Sequence, residues 1–450
     1  MSDPSTFTQL QQWLDWQETL HPSEIDLGLH RVALVLQRLY PDIYHPSRQS
    51  VKYPFTIITI AGTNGKGSTI ALLSSILTQA GYCVGAYSSP HLQSYNERIC
   101  INQVPVKDIL ICDAFTRINE VRDDISLTYF EFATLAAVEV FYQQQCDIVI
   151  LEVGLGGRLD AVNAIDPDVA FVSTVDFDHQ DWLGNDLNTI ALEKAGIYRR
   201  DKPAIYGDEP LIDSIREKVH QQSLDFYQYG KDYNYRLREQ QWDWLPAQGS
   251  PFNAHYNLPL PALAGNIQLK NAANVLFILK LLKLQWPVTQ ADIKQGLLSV
   301  QISGRFQILQ SRPLIIADVA HNVQAARVLK TTIDDLTVPG KFHIIAGMLK
   351  DKDIINVLSC LLPVAASWRI IELNSPRAMP ADELKQILQK ITGPNTEIKC
   401  FADFKQAYSD FEEANKKSAK EYNIAENQTD NLLIMGSFFT VSDALRNLQS

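Results

Sequence analysis

Short runs of apolar residues, rich in Ile and Val, recur along the chain and alternate with longer stretches of helical periodicity. The runs lie at 55–62, 146–154, 168–175, 313–320, 341–348 and 431–438. Near-continuous apolar strands that alternate with helices are typical of parallel sheets covered on both faces. The pattern therefore predicts an α/β protein with two sets of strands.

Apolar residues spaced three and four positions apart predict helices between the strands. These helices lie within 5–40 (interrupted at Pro22) and at 67–80, 130–145 and 188–198. Residues 222–262 are rich in Tyr, Gln and Pro and predict an antiparallel or loop excursion, which a helical stretch follows at 267–300. The polar stretch 411–430 predicts a solvated helix and loop.

Composition and charge narrow the function classes. Hydrophobic residues make up 46% and charged residues 20%, which is ordinary globular usage, and the net charge of −11 argues against a nucleic-acid partner. The six cysteines form no CxxC pair, a pattern that favours reduced thiols over a disulfide framework or a zinc site. No apolar run approaches the ~20 residues that span a bilayer, and the N-terminus does not resemble a signal peptide. We expect a cytoplasmic protein without a membrane partner.

The clearest candidate for chemistry is a Gly-rich loop between a predicted strand and a predicted helix. It consists of Gly62, Thr63, Asn64, Gly65, Lys66, Gly67 and Ser68. In such a loop the backbone N–H groups converge on a phosphate, the helix N-terminus adds partial positive charge, and the Lys reaches the outer phosphates. The loop departs from the strict phosphate-loop pattern because Gly67 separates Lys66 from Ser68. We interpret it as a nucleotide site rather than as a simple tight turn.

Other polar residues follow further strands. Glu152 ends a predicted strand, so its carboxylate emerges at the sheet edge where α/β proteins bind ligands, and it can hold Mg²⁺. His179 lies among three carboxylates and is equally consistent with a metal ligand and with a structural His at a helix start. Ser89 could complete a magnesium shell, although Ser-Pro is also ordinary turn chemistry. Lys194, on a predicted helix, would by itself be taken as solvated.

The segment 303–305 indicates a hinge between the two sets of strands. Arg305 lies at this hinge, and Asp318 and His321 follow the next strand. By position these residues could close over a nucleotide, and by composition they could equally be a cap and a turn. We therefore expect residues 1–302 to form an ATP-binding parallel-sheet domain with N-terminal helices, and residues 303–450 a smaller Rossmann-like α/β domain.

Taken together, the motifs resemble those of the folylpolyglutamate synthase family of the Mur ligase superfamily. The motifs, in order, are AGTNGKGS, SSPHL with NERI, LEVGLGGRLDA, HQDWLG, EKAGI, GRFQ and DVAHN. Many bacterial members are also dihydrofolate synthases. The resemblance implies a ligase that uses ATP to join L-glutamate to dihydropteroate and to the γ-carboxyl group of folates. The implied route passes through an acyl phosphate and releases ADP and phosphate.

The resemblance also implies roles for individual residues. ATP would be bound by residues 62–68 together with Asn271, Arg305, Asp318 and His321. Two magnesium ions would be held by Ser89, Glu152, His179 and Lys194, the last as a carbamate. Dihydropteroate or folate would contact Thr128, Tyr129, Phe130, Glu131, Leu159, Asp160 and Ala161. Catalysis would depend on Lys66, Lys194 and His179. We expect a monomer, although the sequence itself does not fix the oligomeric state.

Other activities stay open on the sequence alone. A folylpolyglutamate synthase without dihydrofolate synthase activity is the nearest alternative. A ligase of cell-wall precursors is disfavoured by the SSPHL and HQDWLG contexts. A nucleotide-dependent binding or switch module without ligase activity would also use the Gly-rich loop. A dinucleotide oxidoreductase is least favoured because the dinucleotide fingerprint spacing is absent.

Overall fold

The computed structural model describes residues 4–23, 25–45, 50–336, 340–422 and 430–448, which form two compact units. The first unit comprises Met1–Asp176, Leu183–Ala262 and Leu269–Val300. The second comprises Phe177–Trp182, Leu263–Gln268 and Gln301–Ser450. The expected division after residue 302 would assign 177–182 and 263–268 to the first domain, whereas their contacts assign both to the second unit.

Helices and strands alternate along most of the described chain. The α-helices are α1 (Leu10–Leu20), α2 (His30–Leu39), α3 (Lys66–Gln79), α4 (Asp108–Arg122), α5 (Tyr129–Gln143), α6 (Gln180–Leu183), α7 (Leu187–Lys194), α8 (Asp213–Gln222), α9 (Ile267–Leu281), α10 (Gln290–Ser299), α11 (Val323–Asp334), α12 (Ile354–Leu361), α13 (Ala381–Ile391), α14 (Phe404–Tyr422) and α15 (Phe438–Leu448). The strands are β1 (Tyr44–His45), β2 (Ser50–Val51), β3 (Thr56–Ala61), β4 (Val84–Tyr87), β5 (Ile99–Ile101), β6 (Val104–Pro105), β7 (Ile148–Glu152), β8 (Val169–Val172), β9 (Ala204–Tyr206), β10 (Phe226–Gln228), β11 (Tyr233–Leu237), β12 (Gln241–Pro246), β13 (His255–Pro259), β14 (Gln307–Ser311), β15 (Leu314–Asp318), β16 (Phe342–Ala346), β17 (Ala365–Ile371), β18 (Ile398–Phe401) and β19 (Asn431–Met435). All six apolar runs are strands, namely β3, β7, β8, β15, β16 and β19, which confirms the predicted α/β class.

The first unit is built on a sheet with the strand order β10-β9-β8-β3-β7-β4-β5-β6. Strands β10 through β4 run parallel, β5 is antiparallel to β4, and β6 is antiparallel to β5. Every residue of β3, β7 and β8 is buried, as expected for strands with helices on both faces. Because β8, β3, β7 and β4 are neighbours, the loops that follow them meet at one edge of the sheet.

The N-terminal helices pack on this unit through aromatic side chains. Trp13 of α1 lies 5.8 Å from Phe115 of α4, and Trp16 lies 6.0 Å from Phe132 of α5, measured between ring centroids. The first pair is tilted and the second edge-to-face, and aromatic pairs of this kind stabilise helix packing beyond the buried area. The predicted interruption at Pro22 is present, since α1 ends at Leu20 and α2 begins at His30.

The excursion expected at 222–262 contains a three-stranded antiparallel sheet in the order β11-β12-β13. Trp244 of β12 and Tyr233 of β11 are buried, and the Tyr233 ring stacks 4.2 Å from that of Phe277 on α9. The helical stretch at 267–300 consists of two helices, α9 and α10, with Pro287 between them.

The second unit has a six-stranded sheet in the order β14-β15-β19-β16-β17-β18 within the described residues. All pairings are parallel except that of β14 with β15. The carboxyl ends of β15, β19 and β16 are therefore adjacent. None of the described helices is both long and apolar enough to cross a membrane.

The stretch 411–430 differs in part from its predicted solvated helix. Its first half belongs to α14, where Phe411 and Asn415 are buried, and the Arg369 guanidinium lies 5.7 Å from the Phe411 ring. This face of α14 therefore packs on the sheet. The second half lies mostly outside the described residues.

Candidate functional site

The loop Gly62–Ser68 joins the buried strand β3 to the N-terminus of α3. Gly65 has a φ of 86°, in the left-handed region that glycine adopts at little cost. Gly62 also has a positive φ, and a Cβ there would lie 1.9 Å from Ser173 Oγ. A Cβ on Gly65 would lie 3.2 Å from Asn271 Oδ1. Asn271, which was predicted to bind the nucleotide, therefore lies beside the loop. The two glycines bring the loop against β8 and place the start of α3 at the carboxyl edge of the sheet.

Hydrogen bonds hold the loop against the chain that follows β8. Thr63 N donates to Thr174 O at 2.8 Å, and Asn64 N donates to Thr174 Oγ1 at 3.1 Å. Ser173 Oγ donates to Asn64 O at 2.6 Å. The backbone that would receive a phosphate is therefore fixed by neighbouring strands, which is the preorganisation that anion binding requires.

Lys66 and Glu152 meet at the end of β7. Lys66 Nζ donates to Gly62 O at 2.9 Å and lies 4.0 Å from Glu152 Oε1. Glu152 is 5% exposed, and its Oε2 accepts a hydrogen bond from Ser89 N at 3.1 Å. Two predicted metal ligands, Ser89 and Glu152, are thus adjacent to the phosphate-loop lysine.

The donor set at this point fits magnesium better than a transition metal. In the described part of the chain, no three His, Cys, Asp or Glu side chains are grouped so that they could hold a metal ion. Mg²⁺ is ordinarily held by one or two carboxylates, with water and phosphate oxygens completing its shell. A single buried carboxylate, Glu152, beside the hydroxyl-bearing Ser89 matches that requirement.

Glycines also bring the loop after β7 against the end of α7. A Cβ on Gly157 would lie 2.7 Å from Glu193 O and 2.9 Å from Lys194 O. Arg158 N donates to Glu193 O at 2.8 Å, and a Cβ on Gly196 would lie 2.5 Å from Arg158 Cα. The last residue of α7, Lys194, is 5% exposed, so it is not the solvated lysine that its helix alone suggested.

The two predicted substrate segments converge on Gly154. A Cβ on this glycine would lie 2.6 Å from the Phe130 ring and 3.4 Å from Asp160 Oδ2. Asp160 Oδ2 accepts from Gly154 N and Leu155 N, and its Oδ1 accepts from Val162 N. Burial raises the pKa of Asp160 to about 7, although these three N–H donors favour its charged form.

Other residues predicted to bind substrate have their side chains or backbone engaged within the fold. Thr128 and Glu131 form a capping box at the start of α5, and Glu131 is 2% exposed. Leu159 O accepts from Gly28 N at 3.1 Å, and Ala161 is buried at the start of a short 3₁₀ turn. Tyr129, beside them, is only half-buried.

The sequence interpretation gave Arg98 no role, yet it lies at the centre of this region. Its guanidinium lies 5.6 Å from the ring centroids of both Tyr95 and Tyr129, and its Nε donates to His91 Nδ1 at 2.9 Å. Arg98 links the SSPHL and NERI motifs to Tyr129 through cation–π contacts. Arg98 belongs to the NERI motif, which is the sequence feature that could have pointed to it.

In the second unit, the predicted nucleotide residues gather at the carboxyl edge of the sheet. Asp318 ends β15 and accepts from Phe306 N and Ala320 N, each at 2.7 Å. Arg305 lies 5.6 Å from the Phe438 ring centroid, and the His321 ring lies 6.1 Å from it. Burial raises the pKa of Asp318, although the charge of Arg305 opposes the shift. Phe438 was not identified from the sequence.

His179 is carried by the second unit, in a left-handed backbone conformation with a φ of 51°. The preceding Asp178 accepts from Lys352 Nζ at 2.7 Å and from Asn322 Nδ2 at 3.2 Å, and it lies 3.7 Å from His321 Nε2. Burial would raise the pKa of Asp178, but His321 and the neighbouring cations hold it well below its usual range. Sequence reasoning did not identify Lys352, which is 6% exposed.

Comparison with protein families identifies both units. The model for the Mur ligase middle domain matches residues 60–279, and that for the Mur ligase glutamate ligase domain matches residues 304–438. These matches include the Gly-rich loop, Glu152 and the segment from Arg305 to His321.

Full-length relatives and solved structures agree with these domains. The chain is 39% identical over 442 residues to the dihydrofolate synthase/folylpolyglutamate synthase of Escherichia coli K12, covering 98% of this chain and 96% of the relative. It is similar to the structure of E. coli FolC with DHPP and ADP, at a TM-score of 0.86 and 38% identity, covering 100% of this chain and 99% of that one. It is also similar to the Yersinia pestis bifunctional enzyme complexed with AMPPNP and Mn, at a TM-score of 0.85 and 37% identity, covering all of both chains.

Proposed function

The chain belongs to the dihydrofolate synthase/folylpolyglutamate synthase family of Mur ligases, and from this premise we propose how its own residues carry out the reaction. The protein is an ATP-dependent ligase that adds L-glutamate to dihydropteroate and to folates. ATP and a divalent cation take part, as the ligands of the related structures indicate.

Joining a carboxylate to an amine requires one carboxylate oxygen to leave, and an oxide ion is too poor a leaving group. A carboxylate oxygen of the acceptor attacks the γ-phosphorus of ATP, and ADP leaves, so the acceptor becomes an acyl phosphate. The amine of L-glutamate then attacks the acyl carbon and loses a proton, and phosphate leaves as the amide forms. Bound magnesium would neutralise phosphate charge during this transfer.

In the first unit, we assign phosphate binding to the loop Gly62–Ser68. Lys66 supplies a cation at the outer phosphates, and the N-terminus of α3 supplies N–H donors. Ser89 and Glu152 would hold magnesium. Lys194, buried at the end of α7, would contribute as a carbamate to a second ion.

We assign acceptor binding to the region around Gly154. Phe130 and Tyr129 offer aromatic faces to a flat ring, and Asp160 offers a carboxyl group whose pKa lies near neutrality. Thr128 and Glu131 set the first turn of α5, and Leu159 and Ala161 shape the opposite wall.

In the second unit, Asn322 caps α11, Arg305 and His321 both lie near the Phe438 ring, and Asp318 ends β15. We assign Arg305, Asp318 and His321 to the nucleotide, with Asn271 of the first unit. We assign His179 to magnesium and, with Lys66 and Lys194, to catalysis. The domains 1–302 and 303–450 stay our proposal for the functional division.

The observation that carries this proposal is the arrangement at the carboxyl edge of the first sheet. A preformed phosphate loop follows β3, Glu152 at the end of the neighbouring strand β7 lies 4.0 Å from Lys66, and the two substrate segments converge on Gly154 just after β7. A simple nucleotide-binding switch would need the loop but not the substrate segments at Gly154.

The test is an assay of the purified protein with dihydropteroate, L-glutamate and ATP. We expect dihydrofolate and ADP in equal amounts, and polyglutamates when tetrahydrofolate replaces dihydropteroate. With ¹⁸O in the acceptor carboxylate, we expect label in the released phosphate. Unlabelled phosphate would contradict the acyl-phosphate route. Activity with tetrahydrofolate alone would indicate a folylpolyglutamate synthase only, and ATP hydrolysis indifferent to both acceptors would favour a binding or switch module.

The matched variants are Lys66→Ala and Lys202→Ala. Removing the cation at the phosphate loop should lower kcat at least about a hundredfold, because one well-placed charge contributes roughly 3–4 kcal/mol to transition-state stabilisation. Lys202 pairs with Asp168, before β8 and thus away from the carboxyl edge, and its loss should leave kcat unchanged. A Lys66→Ala rate like that of the wild type would rule out the assigned role of the loop.

We also propose a monomer that acts in the cytoplasm and binds two magnesium ions. Light scattering during gel filtration measures the mass. Manganese titration followed by electron paramagnetic resonance counts the ions, and loss of one site in Lys194→Ala would support the carbamate.

A further inference from the structure

The segment Asp26–Arg31, before and at the start of α2, contacts both segments that we assign to the acceptor. Gly28 N donates to Leu159 O at 3.1 Å, and Arg31 pairs with Glu131. We propose that Arg31 is a positioning residue for the acceptor: it holds the first turn of α5 so that the aromatic residues there can bind dihydropteroate. This inference rests on the proposed function.

The Arg31 guanidinium is directed entirely at two acidic residues. Its Nε donates to both carboxylate oxygens of Glu131, at 3.1 and 3.2 Å, and its Nη2 lies 3.0 Å from Glu131 Oε1. Its Nη1 donates to Asp26 Oδ2 at 2.7 Å, and its Nη2 donates to Asp26 O at 2.8 Å. This forked geometry needs a planar guanidinium, and a lysine ammonium could not reproduce it.

Glu131, held by Arg31, in turn fixes the backbone at the start of α5. Its Oε2 accepts from Thr128 N at 2.8 Å, while Thr128 Oγ1 accepts from Glu131 N at 3.2 Å. This capping box fixes the backbone of the first turn. The Glu131 side chain is only 3% exposed, so its carboxylate depends on Arg31 for a counter-charge.

The first turn of α5 carries the two aromatic residues assigned to the acceptor. The Tyr129 ring lies 5.8 Å from that of Tyr95, with the Arg98 guanidinium near both. The Phe130 ring lies against Gly154, too close to leave room for a Cβ there. A change in this turn therefore moves both rings relative to the loop after β7.

Removing the guanidinium would leave a carboxylate at Glu131 that is buried and lacks a cation. Such a group is strongly unfavourable, and the segment relieves it by turning Glu131 toward water. That movement breaks the bond to Thr128 N and displaces the first turn. The phosphate loop is connected to other strands and should keep its geometry.

The test compares Arg31→Met with Arg38→Met on the same helix. Arg38 donates to Val121 O and Arg122 O and touches neither acceptor segment. We expect Arg31→Met to raise the KM for dihydropteroate about tenfold, equal to about 1.4 kcal/mol, with the KM for ATP changed less than about twofold. Arg38→Met should leave both values unchanged.

Two further variants separate positioning from folding, with melting curves recorded for each. Arg31→Lys keeps the charge without the fork and should recover only part of the loss. The double variant Arg31→Met with Glu131→Gln removes the unpaired charge and keeps an acceptor for Thr128 N. It should fold and have a lower KM for dihydropteroate than Arg31→Met. If Arg31→Met does not fold, a wild-type KM in Arg31→Lys overturns the proposal, and a raised one supports it.

Equal dihydropteroate KM values in Arg31→Met and Arg38→Met would overturn the inference. So would a parallel rise in the KM for ATP, because a general loss of structure would produce it. A wild-type protein inert toward dihydropteroate would instead overturn the proposed function, and that result needs no variant.

Discussion

Asp160 shows how one buried carboxyl group can acquire a neutral form near physiological pH. Desolvation disfavours its charge, and this effect exceeds that of the N–H groups of Gly154, Leu155 and Val162 that it accepts from. The result is a group with a pKa of about 7 beside the Phe130 ring. A carboxyl group that can donate as well as accept suits a heteroaromatic acceptor.

This shift predicts a pH-dependent stability. Between about pH 4 and pH 7 the folded protein keeps a proton on Asp160 that the unfolded chain releases, so this group's contribution to stability falls as the pH rises through that window. Relative to Asp160→Asn, the wild-type protein should lose up to about 1.4 kcal/mol of unfolding free energy per pH unit. Urea unfolding of both proteins at several pH values measures the difference. Parallel curves would show that Asp160 is already ionised at pH 4.

The sequence was informative for residues whose role follows from a local pattern. Lys66 and Glu152 were predicted from a loop and a strand end, and the structure brings them together. Arg31 and Lys352 were missed because their partners lie 100 and 174 positions away in the chain. Pairing at that distance is a property of the tertiary fold and has no signal in a single sequence.

Elements were predictable where burial alone determines their composition. Strands β3, β7 and β8 are buried throughout and read as continuous apolar runs. Strands β17 and β18 were not predicted, because β17 contains Arg369 and Ser367 and β18 is only half-buried at the edge of its sheet. The family, the α/β class and the ligase function, which the motif order predicted, are confirmed by the comparisons.

The packing of the loop after β7 on α7 predicts a sharp steric limit. In Gly157→Ala the added Cβ would meet Glu193 O and Lys194 O, both backbone atoms that cannot rotate away. We expect a loss of about 1–3 kcal/mol in unfolding free energy and a marked fall in kcat. Gly393→Ala is the control, since nothing lies within 4 Å of its added Cβ. Normal kcat in Gly157→Ala would mean that Lys194 does not need this contact.

At the scale of the whole molecule, the second unit depends on a segment from the first half of the chain. Phe177–Trp182 belongs to that unit, and Asp178 is its anchor through Lys352, Asn322 and His321. The same anchor supports the left-handed His179. The second unit and the predicted metal ligand therefore share one set of contacts.

Lys352→Met tests this anchor. It would leave Asp178, whose side chain is 10% exposed, without its nearest cation, and we expect a loss of about 3 kcal/mol in unfolding free energy. Because the pKa of Asp178 is depressed, the wild-type advantage should be present at neutral pH and decline in acid, as the carboxylate becomes protonated. The control is Lys350→Met: Lys350 is exposed, and its replacement should leave the free energy of unfolding unchanged. Equal stability of the two variants would show that Asp178 does not anchor the segment.

The anchor also affects how the protein is made. Asp178 leaves the ribosome about 170 residues before Lys352, which at roughly 5–20 residues per second is a wait of about 10–35 seconds. For most of that interval the first half can fold around its own sheet, while the segment that carries His179 still lacks His321, Asn322 and Lys352, the residues that hold Asp178. The predicted metal ligand His179 is therefore among the first residues synthesised for its unit, yet its segment is secured only after three of the six strands of the C-terminal sheet, β14, β15 and β16, have been made.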